Sequence, residues 1–155
     1  MTAQIHDRLE YLGQDYELLT VSGGGLADPL SHGLQPAMLH TACWRGYFCL
    51  YTIIASRLVW SELTVRSQEG AYPEIAGVRP SVDPAGVAVY RGLDIPLRFS
   101  GRILAGKDFL PERYVHMGFQ APSAYASLLE LAFTDGRLTS AAQLAASPSG
   151  PEAGV

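Results

Sequence analysis

The residues whose chemistry could matter gather in two stretches. The first is Thr41-Ala-Cys43-Trp44-Arg45-Gly46-Tyr47, followed by Cys49 and Tyr51. A guanidinium can hold an anionic group through its planar fork, and Cys43, Trp44 and Tyr47 beside Arg45 complete a candidate ligand-binding wall. The second stretch runs from Asp108 to Phe119. An extended backbone there puts Tyr114, His116 and Gly118 on one face, so an imidazole that titrates near neutrality stands beside a phenol, with a glycine leaving room for a substrate. Tyr114 and His116 are the candidate catalytic acid and base. Each stretch also has a plainer reading. Arg45 would fork onto a carboxylate such as Asp15 or Glu62 while the tyrosines cover a sheet, and His116 would be hydrogen-bonded within the fold.

Established signatures are missing around these residues. His40-Thr-Ala-Cys43 offers two donor types at short spacing, but a tetrahedral metal site needs four ligands, and Cys49, His32, His6 and His116 do not form the required pairs. No metal and no cofactor is expected. The chain has no His-Glu-x-x-His, no Cys-x-x-Cys and no Gly-x-Ser-x-Gly nucleophile elbow. Ser22-Gly-Gly-Gly25 is followed by no Gly-Lys-Ser/Thr, so it reads as a turn and not as a phosphate loop.

The elements that must position these groups are mainly strands. Alternation from Ala42 to Thr52 predicts a strand whose even residues, Trp44, Gly46, Phe48 and Leu50, form the core face. Its odd residues, Cys43, Arg45, Tyr47, Cys49 and Tyr51, form the polar wall. Arg57 to Val65 alternates well enough to pair with it. Tyr125 to Phe133, the Asp135-Gly136 turn and Arg137 to Ser140 make a hairpin, although the Ala and Leu content of 123–132 leaves a helix open. Tyr16 to Val21 and Ile95 to Phe99 are short β-favouring runs, each leading into Ser-Gly. At most short helices are expected, near residues 2–10 and 109–115.

The chain also matches itself. Tyr11, Gly13, Asp15 and Leu18 fall on Tyr90, Gly92, Asp94 and Leu97; Ser22-Gly23 falls on Ser100-Gly101, and Arg57-Leu58 on Arg137-Leu138. Residues 11–65 and 90–144 thus read as two copies of one unit, joined by a Pro- and Gly-rich linker at 66–89. The expected fold is mostly β, all-β or β-rich α+β. Two pseudo-symmetric antiparallel repeats form a barrel or sandwich within one domain, 1–144, and 145–155 is a disordered tail.

Composition sets the outer limits. At 155 residues, with 48% hydrophobic and 17% charged side chains, the chain can bury a core without staples. A formal net charge of -4, with its arginines scattered singly, offers no cationic stripe for nucleic acid. The longest apolar run, Tyr47 to Ala55, is far short of the roughly 20 residues that span a bilayer, so no membrane association is expected. The polar start of the chain lacks the apolar stretch of a secretory signal. Cys43 and Cys49, if extended, lie about 20 Å apart, too far for a disulfide. Reduced thiols fit a cytoplasmic protein.

Thr41-Ala-Cys-Trp-Arg-Gly-Tyr47, Arg57-Leu58, Phe99-Ser-Gly101 and Tyr114-Val-His-Met-Gly118 together resemble small bacterial proteins that carry Ser/Thr-Ala-x-Trp-Arg-Gly-Tyr and then Tyr-x-His-x-Gly. The resemblance spans about residues 11–140 and implies no particular activity. Two function classes follow from the residues. One is a small protein that binds a small molecule or neutralises a partner protein, with its site between the two halves. The other is a cofactor-independent isomerase, cyclase or hydrolase that uses His116 and Tyr114 for proton transfer and Arg45 as an anion anchor. No motif specifies the ligand or the oligomeric state.

Overall fold

The computed structural model of the chain describes residues 4–68, 70–114 and 118–144. Among them run β1 (Arg8–Tyr11), β2 (Gln14–Gly24), β3 (Tyr47–Ile54), β4 (Arg57–Val65), β5 (Ser81–Val82), β6 (Ala88–Pro96), β7 (Ser100–Phe109), β8 (Tyr125–Thr134) and β9 (Arg137–Leu144). The fold is mostly β, and its centre is a closed barrel. The ring runs β1-β2-β7-β8-β9-β4-β3 and returns to β1. Neighbours are antiparallel except β1 and β3, which pair in parallel. The closing contact between β9 and β4 is the single pair Arg57 with Arg137. β6, with β5 beyond it, takes the rest of that edge of β4.

Alternation fills the barrel. Leu9 stands opposite Tyr16 and Tyr51, Tyr51 opposite Trp60, and Cys49 opposite Leu63. Ile103 and Ala105 oppose Leu131 and Leu129 on the far side. All of these are buried in one core cluster. The expected strand from Ala42 to Thr52 is therefore corrected twice. It begins at Tyr47, because residues 41–46 form a loop, and its odd residues Cys49 and Tyr51 point into the core while Phe48 and Leu50 are only half-buried. Period-two alternation separates the faces of a strand but does not say which one is inside. Here the bulkier phenol and the small thiol meet Trp60 and Leu63, and Trp44 is exposed instead of being core.

Other expectations also change. Arg8–Tyr11 is a strand, not part of a helix, since Leu9 and Tyr11 alternate with charged residues. Among the described residues of 109–115, Phe109 ends β7 and the one helical element is a 3-10 turn, Pro111–Arg113. The ambiguous 123–132 stretch is mainly strand, with a 3-10 turn at Pro122–Ala124 before it. Within 66–89, Ile75 is fully buried in the core and Tyr72 packs against it, so this stretch folds back onto the barrel.

Ser22-Gly23-Gly24 is paired strand and not a turn. Gly23 faces Gly101 across β2 and β7. A Cβ on Gly23 would lie 2.2 Å from the Ser100 carbonyl oxygen, and one on Gly101 2.0 Å from that of Ser22. These glycines let two backbones approach; they do not reverse the chain. The matched pairs Gly23/Gly101 and Arg57/Arg137 thus face one another in antiparallel register. The opening matches do not coincide in structure: Tyr11–Leu18 spans the β1–β2 hairpin, whereas Tyr90–Leu97 lies along β6 and its end.

The expected Asp135-Gly136 hairpin forms, with both residues at positive φ (50° and 83°), the backbone a tight primed turn requires. Gly136 has a second constraint, since an added Cβ would lie 1.9 Å from the Leu97 carbonyl oxygen, whereas Gly92, at φ 70°, has open space. Gly136→Ala is expected to cost about 3 kcal/mol, strain plus overpacking, and Gly92→Ala about 1 kcal/mol, strain alone. Equilibrium denaturant unfolding of the two variants measures the difference, and equal losses would contradict it.

Candidate functional site

The site is built on the extended segment before β1. Gln4 N–H donates to the Gly118 carbonyl at 2.6 Å and Ile5 N–H to the Ala42 carbonyl at 2.8 Å. The Gln4 side chain bonds the 41–44 loop twice, donating to the Thr41 carbonyl and accepting from Trp44 N–H, each at 2.9 Å. Leu18 N–H donates to the Asp7 carbonyl at 2.8 Å. Residues 4–7 are thereby laid between the 41–46 loop, β2 and the 118–120 stretch, and the next two side chains, His6 and Asp7, are placed in the cleft these make.

Asp7 is mostly buried. Its Oδ1 accepts from Cys49 N–H at 2.7 Å and from Arg45 Nη2. Arg45 Nε donates to the Tyr47 carbonyl at 2.8 Å, and the guanidinium stacks 4.3 Å from the centre of the Tyr47 ring. Burial raises the Asp7 carboxyl above its ordinary value, and Arg45 and the Cys49 N–H only partly reverse this. Gly46 makes the loop possible, since it has φ 87° and a Cβ there would lie 2.3 Å from the Ala37 carbonyl oxygen.

His6 is 5% exposed. Its Nδ1 lies 3.0 Å from the Leu18 carbonyl oxygen. A carbonyl can only accept, so Nδ1 carries the proton, and in the neutral ring Nε2 is then a bare lone pair. Nε2 is buried and has no hydrogen-bond partner among the described residues. Burial lowers the imidazole below its usual value, against the opposing pull of the Glu17 carboxylate and the bond to Leu18. A depressed histidine stabilises the fold fully above its unfolded value of 6.5, and that contribution is lost as pH falls through its folded value. The Phe119 ring, half exposed, stands 4.9 Å from the imidazole.

His6, Asp7 and Arg45 line one cavity of about 230 Å³, completed by Leu18, Leu19, Val21, Leu26 and Phe119. Of the residues singled out in the sequence, Arg45, Tyr47 and Cys43 are brought together. Cys43 is buried with its Sγ 3.5 Å from the Tyr47 carbonyl oxygen, and Tyr47 supports the guanidinium. Trp44 is exposed and does not line this cavity. Arg45 pairs with Asp7, not with Asp15, which pairs with Arg8 at 3.6 Å, nor with Glu62. Tyr114 is exposed at the end of the 3-10 turn, and His116 lies outside the described residues. His6, Asp7 and Phe119 were not singled out for this role; their signal is only a polar pair directly before an alternating strand.

Comparison with protein-family models, curated proteins and solved structures returns no match. Among the described residues no three His, Cys, Asp or Glu side chains are placed to hold one metal ion, and no helix is long and apolar enough to cross a membrane.

The two sides of the ion pair differ in exposure, 12% for the Asp7 side chain and 39% for that of Arg45. Arg45→Ala strands a buried carboxylate and is expected to cost about 2–3 kcal/mol at pH 7. Asp7→Asn keeps an acceptor for Cys49 N–H and leaves Arg45 to water, costing about 1 kcal/mol. The gap closes as pH falls and Asp7 takes up a proton; denaturant unfolding at pH 7 and pH 4 reads both effects, and a larger loss for Asp7→Asn at pH 7 would contradict them.

Proposed function

We propose that the protein binds a small organic molecule in the cleft between its N-terminal segment, β2 and Phe119. The observation that carries this reading is that His6, which lines the cavity, has a buried Nε2 without a hydrogen-bond partner among the described residues. Buried polar atoms are nearly always satisfied, so an exception calls for an explanation, and a donor supplied by a ligand is one. The cavity has room for roughly eight water-sized groups, which suits a compact metabolite or one end of a larger one. Its walls combine aliphatic side chains, one aromatic ring and a few convergent polar groups, the usual make-up of a small-molecule site. The lining comes from the N-terminal segment (His6, Asp7), from β2 and its following loop (Leu18, Leu19, Val21, Leu26), from the 41–46 loop (Arg45) and from Phe119. The two unpaired, buried thiols Cys43 and Cys49 fit a reducing compartment such as the bacterial cytoplasm.

The test is thermal unfolding against a library of compounds with about ten or fewer non-hydrogen atoms, since a ligand at 100 times its Kd stabilises by about 2.7 kcal/mol. Wild type is expected to gain melting temperature with particular compounds. His6→Gln and the cavity-filling Val21→Trp, both at positions that leave the barrel core intact, are expected to fold and to lose that gain. Absence of any stabilising compound, or a gain that survives in both variants, would overturn the reading.

A further inference from the structure

The cleft's chemistry points beyond binding as such to a ligand class, and this step rests on the small-molecule reading above. Three observations narrow it. Asp7 and Arg45 face one another and cancel in charge, so the cleft offers no net charge to an ion. His6 has its Nδ1 proton committed to the Leu18 carbonyl, which leaves Nε2 as an acceptor that calls for a donor. The remaining wall is apolar, Leu19, Val21 and Leu26 with the ring of Phe119 over the imidazole.

We propose that the ligand is an uncharged molecule with a flat apolar body and one hydroxyl or N–H donor, of phenol type, whose donor bonds His6 Nε2 while its body lies between Phe119 and the Leu19/Val21/Leu26 wall. Phe119, half exposed, is the group that shifts to admit the donor. A carboxylate in the same place sets a lone pair against a lone pair. The Arg45 hydrogens not held by Asp7 or Tyr47 do not compensate, because any anion there also meets the Asp7 carboxylate. An ether or methyl in place of the donor leaves Nε2 as unsatisfied as in the free protein, and a buried unpaired acceptor is costly.

The same geometry sets a pH dependence. The groups that bear on His6 are Asp7 on its own segment, Glu17 on β2, Arg45 on the 41–46 loop and the Tyr125 ring, 6.4 Å away on β8. Tyr125 is tied to Glu17 by a 2.8 Å hydrogen bond and stays a neutral phenol. With the imidazole held below its ordinary value, the acceptor persists through neutral pH, and donor binding weakens as acidification places a proton on Nε2.

The experiment is a two-dimensional amide NMR titration of the full chain with phenol, anisole and benzoate at pH 7.5 and at a pH below the His6 titration followed in the same spectra. Phenol is expected to shift resonances of residues 5–7, 18–21 and 119 at pH 7.5, with anisole and benzoate each about tenfold weaker or more. Phenol is expected to weaken, and benzoate to gain, only as the pH falls through the lowered pKa of the imidazole. Val21→Trp, folded by its amide spectrum, abolishes all shifts, and His6→Gln removes the preference for phenol over anisole. Benzoate binding as tightly as phenol at pH 7.5, or anisole doing so, overturns the ligand class while leaving small-molecule binding in the cleft intact. No shifts with any probe overturns the phenol-type class as well, and the compound library then decides separately whether the cleft binds at all.

Discussion

The Asp7 carboxylate, mostly buried and held by Arg45 and by Cys49 N–H, is the interaction on which the site depends. It fastens residues 4–7 across the side of the barrel, joining the 41–46 loop to the start of β3, with Leu18 N–H bonded to the Asp7 carbonyl from β2. Taking a carboxylate out of water is unfavourable unless its lone pairs are met. Here burial raises the carboxyl's pKa, and Arg45 and the Cys49 N–H only partly reverse this. The pair also supplies position: one residue earlier, His6 sits between the Leu18 carbonyl of β2 and the Phe119 ring.

From that placement the chemistry follows by exclusion. The Leu18 carbonyl accepts from Nδ1, burial favours the neutral ring, and Nε2 is left buried and unpartnered beside a small cavity in which Asp7 and Arg45 already pair with one another. A neutral, oriented imidazole in an apolar cleft is an acceptor for a donor ligand, and its tautomer is set by the hydrogen bond its other nitrogen makes. Whether such a group only binds or also moves a proton depends on what occupies the cleft, and the same atom would serve either role.

Much of the barrel was legible in the sequence, because strand signals are local. The Asp-Gly turn, the alternation of Arg57–Val65 and the β-branched and aromatic runs all lie where strands form. What failed was directional or long-range. Cys49 and Tyr51 read as a polar wall because their polar atoms suggest exposure, yet their volumes fit opposite Leu63 and Trp60. Ser22-Gly23 read as a turn because glycine permits one, yet its role is to let the Ser100-Gly101 backbone approach, a contact that exists only between strands. At the site, Arg45 carried a recognisable signal and its partner did not. Asp7, Asp15 and Glu62 are equivalent carboxylates in a one-dimensional reading, and only the fold brings Asp7, from 38 residues upstream, against the guanidinium. His6, likewise, is one of four histidines until its Nδ1 meets the Leu18 carbonyl.

The most direct test of this account is a long-range proton–nitrogen NMR correlation on histidine-labelled protein, followed through a pH titration. The account predicts that His6 is neutral at pH 7 with its proton on Nδ1, shows an unprotonated Nε2 shift, and titrates below 6.5. A His6 that carries its proton on Nε2, or that titrates at or above that value, would contradict it.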